Sequence, residues 1–236
     1  MKVLVIAAHP DDEVLGAGAT VATLSRQGAQ VHIHIMAEGV SLRHEGVTRE
    51  QARARCETAA GELGAKEISF GGYAADGRLL ADLSQRPVVD GVGKLLRETG
   101  PELVLTHHPG DIHADHRRVA HAVSYGTRIL GGGPVRQVLH FEVLSSTEQQ
   151  TGLMAPFRPD VFYDVTGEVE AKCRALAAYD YEVHEPPHPR SLEAVRTLAA
   201  HRGHQVGVTA AEAFALGREL RTSPTTGHDT LGVGRT

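Results

Sequence analysis

Two short stretches carry side chains that can bind a metal ion and move protons. The first is Ala8-His9-Pro10-Asp11-Asp12-Glu13, one imidazole beside three carboxylates. The second is Thr106-His107-His108-Pro109-Gly110-Asp111-Ile112-His113-Ala114-Asp115-His116, four imidazoles among two carboxylates. A catalytic zinc site takes three protein ligands from His, Cys, Asp and Glu and leaves one position open. His9, Asp12 and His116 would supply such a set, because His9 and Asp12 are three apart across a turn and His116 comes from the other stretch. Asp11 would then stay uncoordinated beside the metal, where a carboxylate can take a proton from water made acidic by the ion. His113 can steady a developing oxyanion or protonate a leaving amine. Asp115 can orient a histidine from behind the metal, and Glu13 is an acid at the helix start or behind the ligands. His107, His108 and Asp111 are further candidate ligands, and spacing does not choose between Asp11 and Asp12.

The elements that must position these residues are legible on either side. Each stretch follows an apolar run, Val3-Leu4-Val5-Ile6-Ala7 and Leu103-Val104-Leu105. Runs without alternation read as strands buried on both faces. Pro10 has no N–H for a sheet ladder and stops the first run. Asp12 and Glu13 suit the positive end of a helix. Acids after a strand are also ordinary helix caps. The chemical reading gains from the second His- and Asp-rich loop, because ligands bind at the carboxyl ends of strands in open α/β sheets.

The remaining pattern predicts strands near 2–8, 31–36, 67–70, 102–106, 137–142 and 161–165. It predicts helices near 12–27, 50–63, 87–99, 115–130, 168–179, 191–203 and 210–220. Strands alternating with helices over the first two-thirds imply a mostly parallel sheet covered on both faces. The last third is expected to cap the open edge with helices. Residues 1–221 read as one domain and 222–236, rich in Thr and Gly, as a disordered tail. Gly16-Ala17-Gly18 sits a turn too late for a dinucleotide fingerprint, and close helix–sheet packing explains it better. His32 and His34, on the more polar face of the second strand, read as structural.

Composition narrows the function classes. With 236 residues, 41% apolar content and a net charge of −5, the chain can build a full core and has no basic stretch for nucleic acid. Cys56 and Cys173 are isolated and read as reduced packing residues. No stretch resembles a secretory signal or approaches the length of a membrane span, so a cytoplasmic protein is expected. A total of 15 histidines fits metal chemistry. The rival class is a nucleotide- or phosphate-handling protein in which Asp11 and Asp12 hold magnesium. It needs a phosphate cradle, and neither G-x-x-x-x-G-K-[ST] nor G-x-G-x-x-G is present.

His9-Pro10-Asp11-Asp12-Glu13 and His113-Ala114-Asp115-His116 together resemble the paired motifs of the LmbE/PIG-L family of zinc-dependent N-acetylglucosaminyl deacetylases. The second motif has Ala114 where the family usually has proline, which removes stiffness but no chemical group. Pro189-Arg190-Ser191-Leu192-Glu193-Ala194 and His201-Arg202-Gly203-His204-Gln205-Val206-Gly207 are similar to the closing segment of many bacterial members. The resemblance implies a Rossmann-like three-layer α/β/α sandwich. It implies Zn2+, or Fe2+, on His9, Asp12 and His116, with Asp11 as general base and His113 as oxyanion stabiliser or acid. Asp76-Gly77-Arg78 resembles a segment whose arginine lies near the sugar. The implied partner is a small N-acetylated amino sugar or glycoside, handled by an enzyme that often assembles as a homo-oligomer.

Overall fold

The two apolar runs become neighbouring central strands. In a computed structural model of the chain, which describes residues 1–38, 46–74, 78–128 and 134–221, β1 (Lys2–Ala7) pairs in parallel with β4 (Leu103–His107) in the register Val3 to Leu103 and Val5 to Leu105. The other strands are β2 (Gln30–Ala37), β3 (Glu67–Tyr73), β5 (Gln137–Phe141), β6 (Val161–Asp164) and β7 (Ala211–Glu219). Their order is β3-β2-β1-β4-β5-β7-β6. The five strands from β3 to β5 in this order are parallel, and β7 runs antiparallel to both β5 and β6. The chain leaves β1 towards β2 on one side and later returns through β4 on the other. The carboxyl ends of β1 and β4 therefore flank the point where strand order reverses, the usual place for a ligand in such sheets.

Strand alternation divides the core between two helix layers. Val3, Val5 and Ala7 pack with Val14 and Leu15 of α1 (Asp12–Arg26), Cys56 and Ala59 of α2 (Arg49–Glu62), and Leu176 of α5 (Val169–Ala177). Leu4 and Ile6 face the other way, onto Val88, Val92 and Leu96 of α3 (Gln85–Thr99) and Val119 and Val123 of α4 (Ala114–Gly126). The result is the three-layer α/β/α arrangement expected. Gly16 explains its own residue type, since a Cβ there would collide with the Phe141 ring. Both cysteines are buried free thiols. Among the described residues, no helix is long and apolar enough to cross a membrane.

One element differs in type. Residues 210–220, expected as a helix, form β7, while α6 (Leu192–Val206) is the last helix among the described residues. Ala, Glu and Leu favour a helix locally, but β5 and β6 present open edges on either side of this segment. Its first four residues, Ala211, Glu212, Ala213 and Phe214, are buried on both faces of the sheet. Pairing on both sides outweighs a helix propensity of a few tenths of a kcal/mol per residue. The last third thus extends the sheet with two strands as well as adding α5 and α6. Helix α4 ends at Gly126 rather than Leu130. The Asp76-Gly77 pair, the last two residues of the helix expected to reach 130 and the tail at 222–236 lie outside the described residues.

Candidate metal centre and active site

Asp11 stands at the hinge between strand and helix. It is the residue before α1 and has a left-handed backbone with φ 94. A non-glycine residue held there costs about 1–3 kcal/mol and needs support from its surroundings. The support is visible: Glu13 Oε2 accepts the Asp11 N–H at 3.1 Å, and Asp12 Oδ2 accepts the His9 N–H at 2.9 Å. Glu13 in turn accepts the buried Tyr179 hydroxyl. The turn therefore sends the carboxylates of Asp11 and Asp12 in different directions.

Asp12 is the centre of a cluster. Its Oδ2 lies 3.2 Å from His9 Nδ1, 3.2 Å from His116 Nε2 and 3.6 Å from His107 Nε2. The second nitrogen of each main partner is tied to another acid. His9 Nε2 meets Asp115 Oδ2 at 2.9 Å, and His116 Nδ1 meets Asp111 Oδ2 at 3.2 Å. Asp115 is itself fixed by the Ala81 N–H at 2.7 Å, and Asp111 by the hydroxyls of Ser146 and Thr147. A histidine with one nitrogen held by a carboxylate and the other turned inward is the pattern of a metal ligand with its support.

The other imidazoles are engaged differently. His107 Nε2 accepts the Ala8 N–H at 2.8 Å. His113 is the residue before α4, and its Nδ1 accepts the Asp115 N–H at 3.2 Å. Its ring stands edge-on to His9 at 4.8 Å and stacks on His116 at 4.7 Å. His108 turns away and pairs with the Ala155 carbonyl at 3.0 Å. Two triads among the described residues converge closely enough to hold an ion, His9–His113–His116 and Asp12–His107–His116. The nitrogen-rich donor set suits zinc or ferrous iron and not the oxygen cage that magnesium favours.

Electrostatics separate the two adjacent aspartates. Burial would raise the Asp12 carboxyl, but His116 and His107 outweigh it and hold it well below the usual range. Burial opposes the charge on His116, and Asp12 and Asp111 reverse this to give a pKa of about 9. A proton shared between Asp12 and His116 thus occupies lone pairs for which a metal would compete. Burial pushes Asp11 up, with Arg190 pulling it down less strongly. Burial also holds His113 down at about 4, so it is neutral at pH 7.

The cation at this site, Arg190, lies in the Pro189–Ala194 segment that resembles the family's closing segment, but that resemblance assigns it no role. Arg190 Nη1 donates to Asp11 Oδ2 at 2.8 Å, the same guanidinium pairs with Glu182, and its Nε donates to Ser145 Oγ at 2.7 Å. Arg190 and Asp11 are 179 positions apart, so no local spacing could have linked them. Asp111, one of the candidate ligands, faces the far side of His116. Arg78 is exposed, on the segment leading to Ala81. His184, His188, His201 and His204 are exposed. A cavity of about 650 Å³ lies between α3 and the sheet and is lined by His32, His34 and Ser69. These two histidines both bond to Ser69 Oγ, at 2.6 and 2.8 Å, and belong to neither convergent triad.

Similarity to known proteins follows the same map. Residues 4–125, just over half of the chain, match the family model described as PIG-L, GlcNAc-PI de-N-acetylase. A probable N-acetyl-alpha-D-glucosaminyl L-malate deacetylase of Bacillus cereus is 24% identical over 190 residues, covering 75% of this chain and 81% of that one. The diacetylchitobiose deacetylase of Thermococcus kodakarensis is 26% identical over 223 residues, covering 89% and 81%. The 4-carboxy-2-hydroxymuconate hydratase GalB of Pseudomonas putida has a similar fold, with a TM-score of 0.73, 22% identity and 95% and 99% coverage. The fold therefore serves more than one reaction. On the family match, which spans both His- and Asp-rich loops, the chain belongs to the PIG-L family of de-N-acetylases.

Proposed function

We propose that this protein is a zinc-dependent hydrolase that removes the acetyl group from an N-acetylglucosamine-type amino sugar in a small glycoside or secondary metabolite. His9, Asp12 and His116 hold the metal, and ferrous iron fits the same donors. The observation that carries this reading is the inward turn of His9 Nδ1 and His116 Nε2 onto one Asp12 oxygen, each at 3.2 Å, with Asp115 and Asp111 behind them. An ion bound there would supply Lewis acidity, lowering the pKa of a water ligand and polarising the amide carbonyl.

The protein's own groups do the rest. Asp11 accepts the proton of the attacking water as the new C–O bond forms. It returns a proton to the amide nitrogen as the C–N bond breaks, releasing acetate and a free amine. Arg190 holds the Asp11 carboxylate at 2.8 Å and fixes its direction. His113 Nδ1 is occupied by the Asp115 N–H, so in the neutral ring the proton sits on Nε2, free to donate to the developing oxyanion. A neutral His113 makes the oxyanion role the better of the two expected for it. Arg78 contacts the sugar from the rim.

The test is amine release from N-acetylglucosamine and its glycosides by zinc-loaded protein. His116→Ala should lose bound metal and activity together. A variant that kept its full metal complement would overturn the ligand set. A water-addition reaction of the kind named for the hydratase would leave the acetamide intact.

A further inference from the structure

The cavity of about 650 Å³ between α3 and the outer strands β2 and β3 shares no residue with the imidazole cluster. A sheet of this kind normally buries apolar side chains on both faces. Here α3 packs on Leu4, Ile6 and Val104 and forms only one wall of the gap. Strands β2 and β3 turn His32, His34, Glu67 and Ser69 into it, with His32 opposite Glu67 and His34 opposite Ser69. Ser69 has one hydroxyl proton, so it donates to one of these imidazoles and accepts from the other. Glu67 Oε2 lies 3.8 Å from His32 Nδ1 and favours the proton on that nitrogen. His32 Nε2 then accepts from Ser69, and His34 Nδ1 donates to it. This leaves His34 Nε2 as an acceptor. Burial holds both rings below their usual pKa, so both are neutral at pH 7. A Cβ at Gly71 would lie 3.2 Å from His34 Nε2, so the glycine leaves space beside that nitrogen. A Cβ at Gly91 would strike the Tyr73 hydroxyl, which donates to the Pro87 carbonyl at 3.0 Å and closes one end of the cavity.

Lys2, Lys66 and Lys94 line the same cavity. Two of them are loosely held: Lys2 Nζ meets the Thr99 carbonyl at 3.3 Å, and Lys94 meets Glu98 at 3.7 Å. We propose that this cavity binds a small phosphorylated polyol, with its phosphate on the three ammoniums and its hydroxyls on His34 Nε2, Glu67 and Glu98. A dianion calls for more than one cation. Ammoniums act on phosphate as point charges, whereas a carboxylate suits the planar fork of arginine, and the cavity has no arginine. A bare anion would leave the imidazole and glutamate acceptors unused, and an uncharged sugar would leave the lysines unused. The volume lies in the range of small-molecule sites. Lysines supply the charge, so no glycine-rich phosphate loop is required. The proposal is independent of the deacetylase reading.

The experiment measures binding to zinc-loaded protein by calorimetry at low salt, with glucose 6-phosphate, glucose and inorganic phosphate as probes. Each half of the ligand adds hydrogen bonds, so glucose 6-phosphate should bind at least about tenfold more tightly than either glucose or phosphate. Lys66→Gln/Lys94→Gln should raise its Kd about tenfold or more and flatten the dependence on salt. Both lysines are exposed and lie outside the imidazole cluster, so the variant should fold and keep its amine release. His34→Leu should bring glucose 6-phosphate down to the level of inorganic phosphate. His116→Ala, aimed at the metal, should leave the binding intact. Absence of binding by glucose 6-phosphate overturns the proposal, and so does binding that survives the double lysine variant. Binding lost in His116→Ala and kept in the lysine variant places the phosphate at the metal centre and also overturns it. So does a His34→Leu protein that keeps the full preference for the phosphorylated sugar. Self-association that the lysine variant abolishes, without any binding of the probes, makes a second copy the occupant and defeats it as well.

Discussion

Helix α1 meets buried charge at its start, on its own residues, and at its middle, on Lys172 of α5 and Glu212 of β7, and the two places balance it in opposite ways. In the middle, Lys172 Nζ donates to the Leu15 carbonyl at 2.8 Å and to Glu212 Oε1 at 2.6 Å. Glu212 also accepts the N–H groups of Ala19 and Thr20, at 3.1 and 2.6 Å. One cation meets one anion, and each fills its remaining bonds with backbone. At the start, Asp11, Asp12 and Glu13 are joined by Asp111 and Asp115, all buried, and Arg190 brings a permanent cation to Asp11. Four imidazoles share the space, and the pKa values spread apart, Asp12 down and Asp11 and His116 up. A matched pair is a closed structural unit. An excess of buried acid around convergent imidazoles is favourable only with added positive charge, which marks it as a site.

The largest expected effects test the start of α1 by separating its two aspartates. Asp11→Asn keeps the side-chain size, and asparagine tolerates the left-handed backbone at this position. It should retain metal while kcat falls about 10²–10⁴-fold, the usual contribution of a general base. Asp12→Asn should instead weaken metal binding, because a neutral ligand replaces a charged one. Metal analysis beside kinetics decides the matter. Metal loss in the first variant and retention in the second would reverse the roles.

The middle of α1 should respond in stability instead of catalysis. Lys172→Met leaves Glu212 buried without its ammonium and should cost about 3–5 kcal/mol of stability, read as a lowered denaturant midpoint. Adding Glu212→Gln should recover part of it. The folded Lys172→Met enzyme should keep its kcat. A selective loss of catalysis with normal stability would erase the contrast between the two clusters.

A third site shows what an imidazole does when no acid pairs with it closely. Burial, helped by His32, holds His34 down at about 4, against Glu38 acting upward. The unfolded chain binds a proton near pH 6.5 and the folded chain does not, so the contribution is fully present above pH 6.5. It is lost as pH falls from 6.5 to about 4, by at most about 3 kcal/mol. Urea titrations across this range should show the slope, and His34→Gln should flatten it. His116, raised to about 9, has the opposite sign: its contribution is present below about pH 6.5 and is lost as pH rises towards 9.

The same contrasts separate what local sequence carries from what it does not. The strands β1 and β4 and the loops behind them are local features, with apolar runs ended by Pro10 and by the His- and Asp-rich segment. The candidate donors could therefore be gathered from spacing and resemblance. Asp111 and Arg190 both lie in segments singled out by their motifs, and what escaped was their roles, which depend on distant partners. Asp111 acts on His116 with Ser146 and Thr147, some 35 positions away, and Arg190 reaches Asp11 across most of the chain. The strand β7 escaped for a related reason. Its Ala-, Glu- and Leu-rich sequence favours a helix, and only its neighbours β5 and β6 make it a strand. Glu212, the anion of the closed cluster, lies on that strand, so the matched pair was hidden with it.

The smallest expected effect concerns the edge of the open cluster, where charge is exposed and its role is recognition. Arg78 lies one residue before Leu79 and three before Ala81, whose N–H holds Asp115. It is exposed, so its charge is well screened and a contact with sugar hydroxyls there is worth about 1 kcal/mol. Arg78→Ala should then raise KM about fivefold and leave kcat nearly unchanged, because the contact is made equally in the ground and transition states. Arg78→Lys should recover part of the loss if charge matters, and little if the planar fork is needed. A fall in kcat at constant KM would move Arg78 from recognition to chemistry. An unchanged KM on the true substrate would take it out of the site, leaving the loop at Ala81 as a support for Asp115 alone.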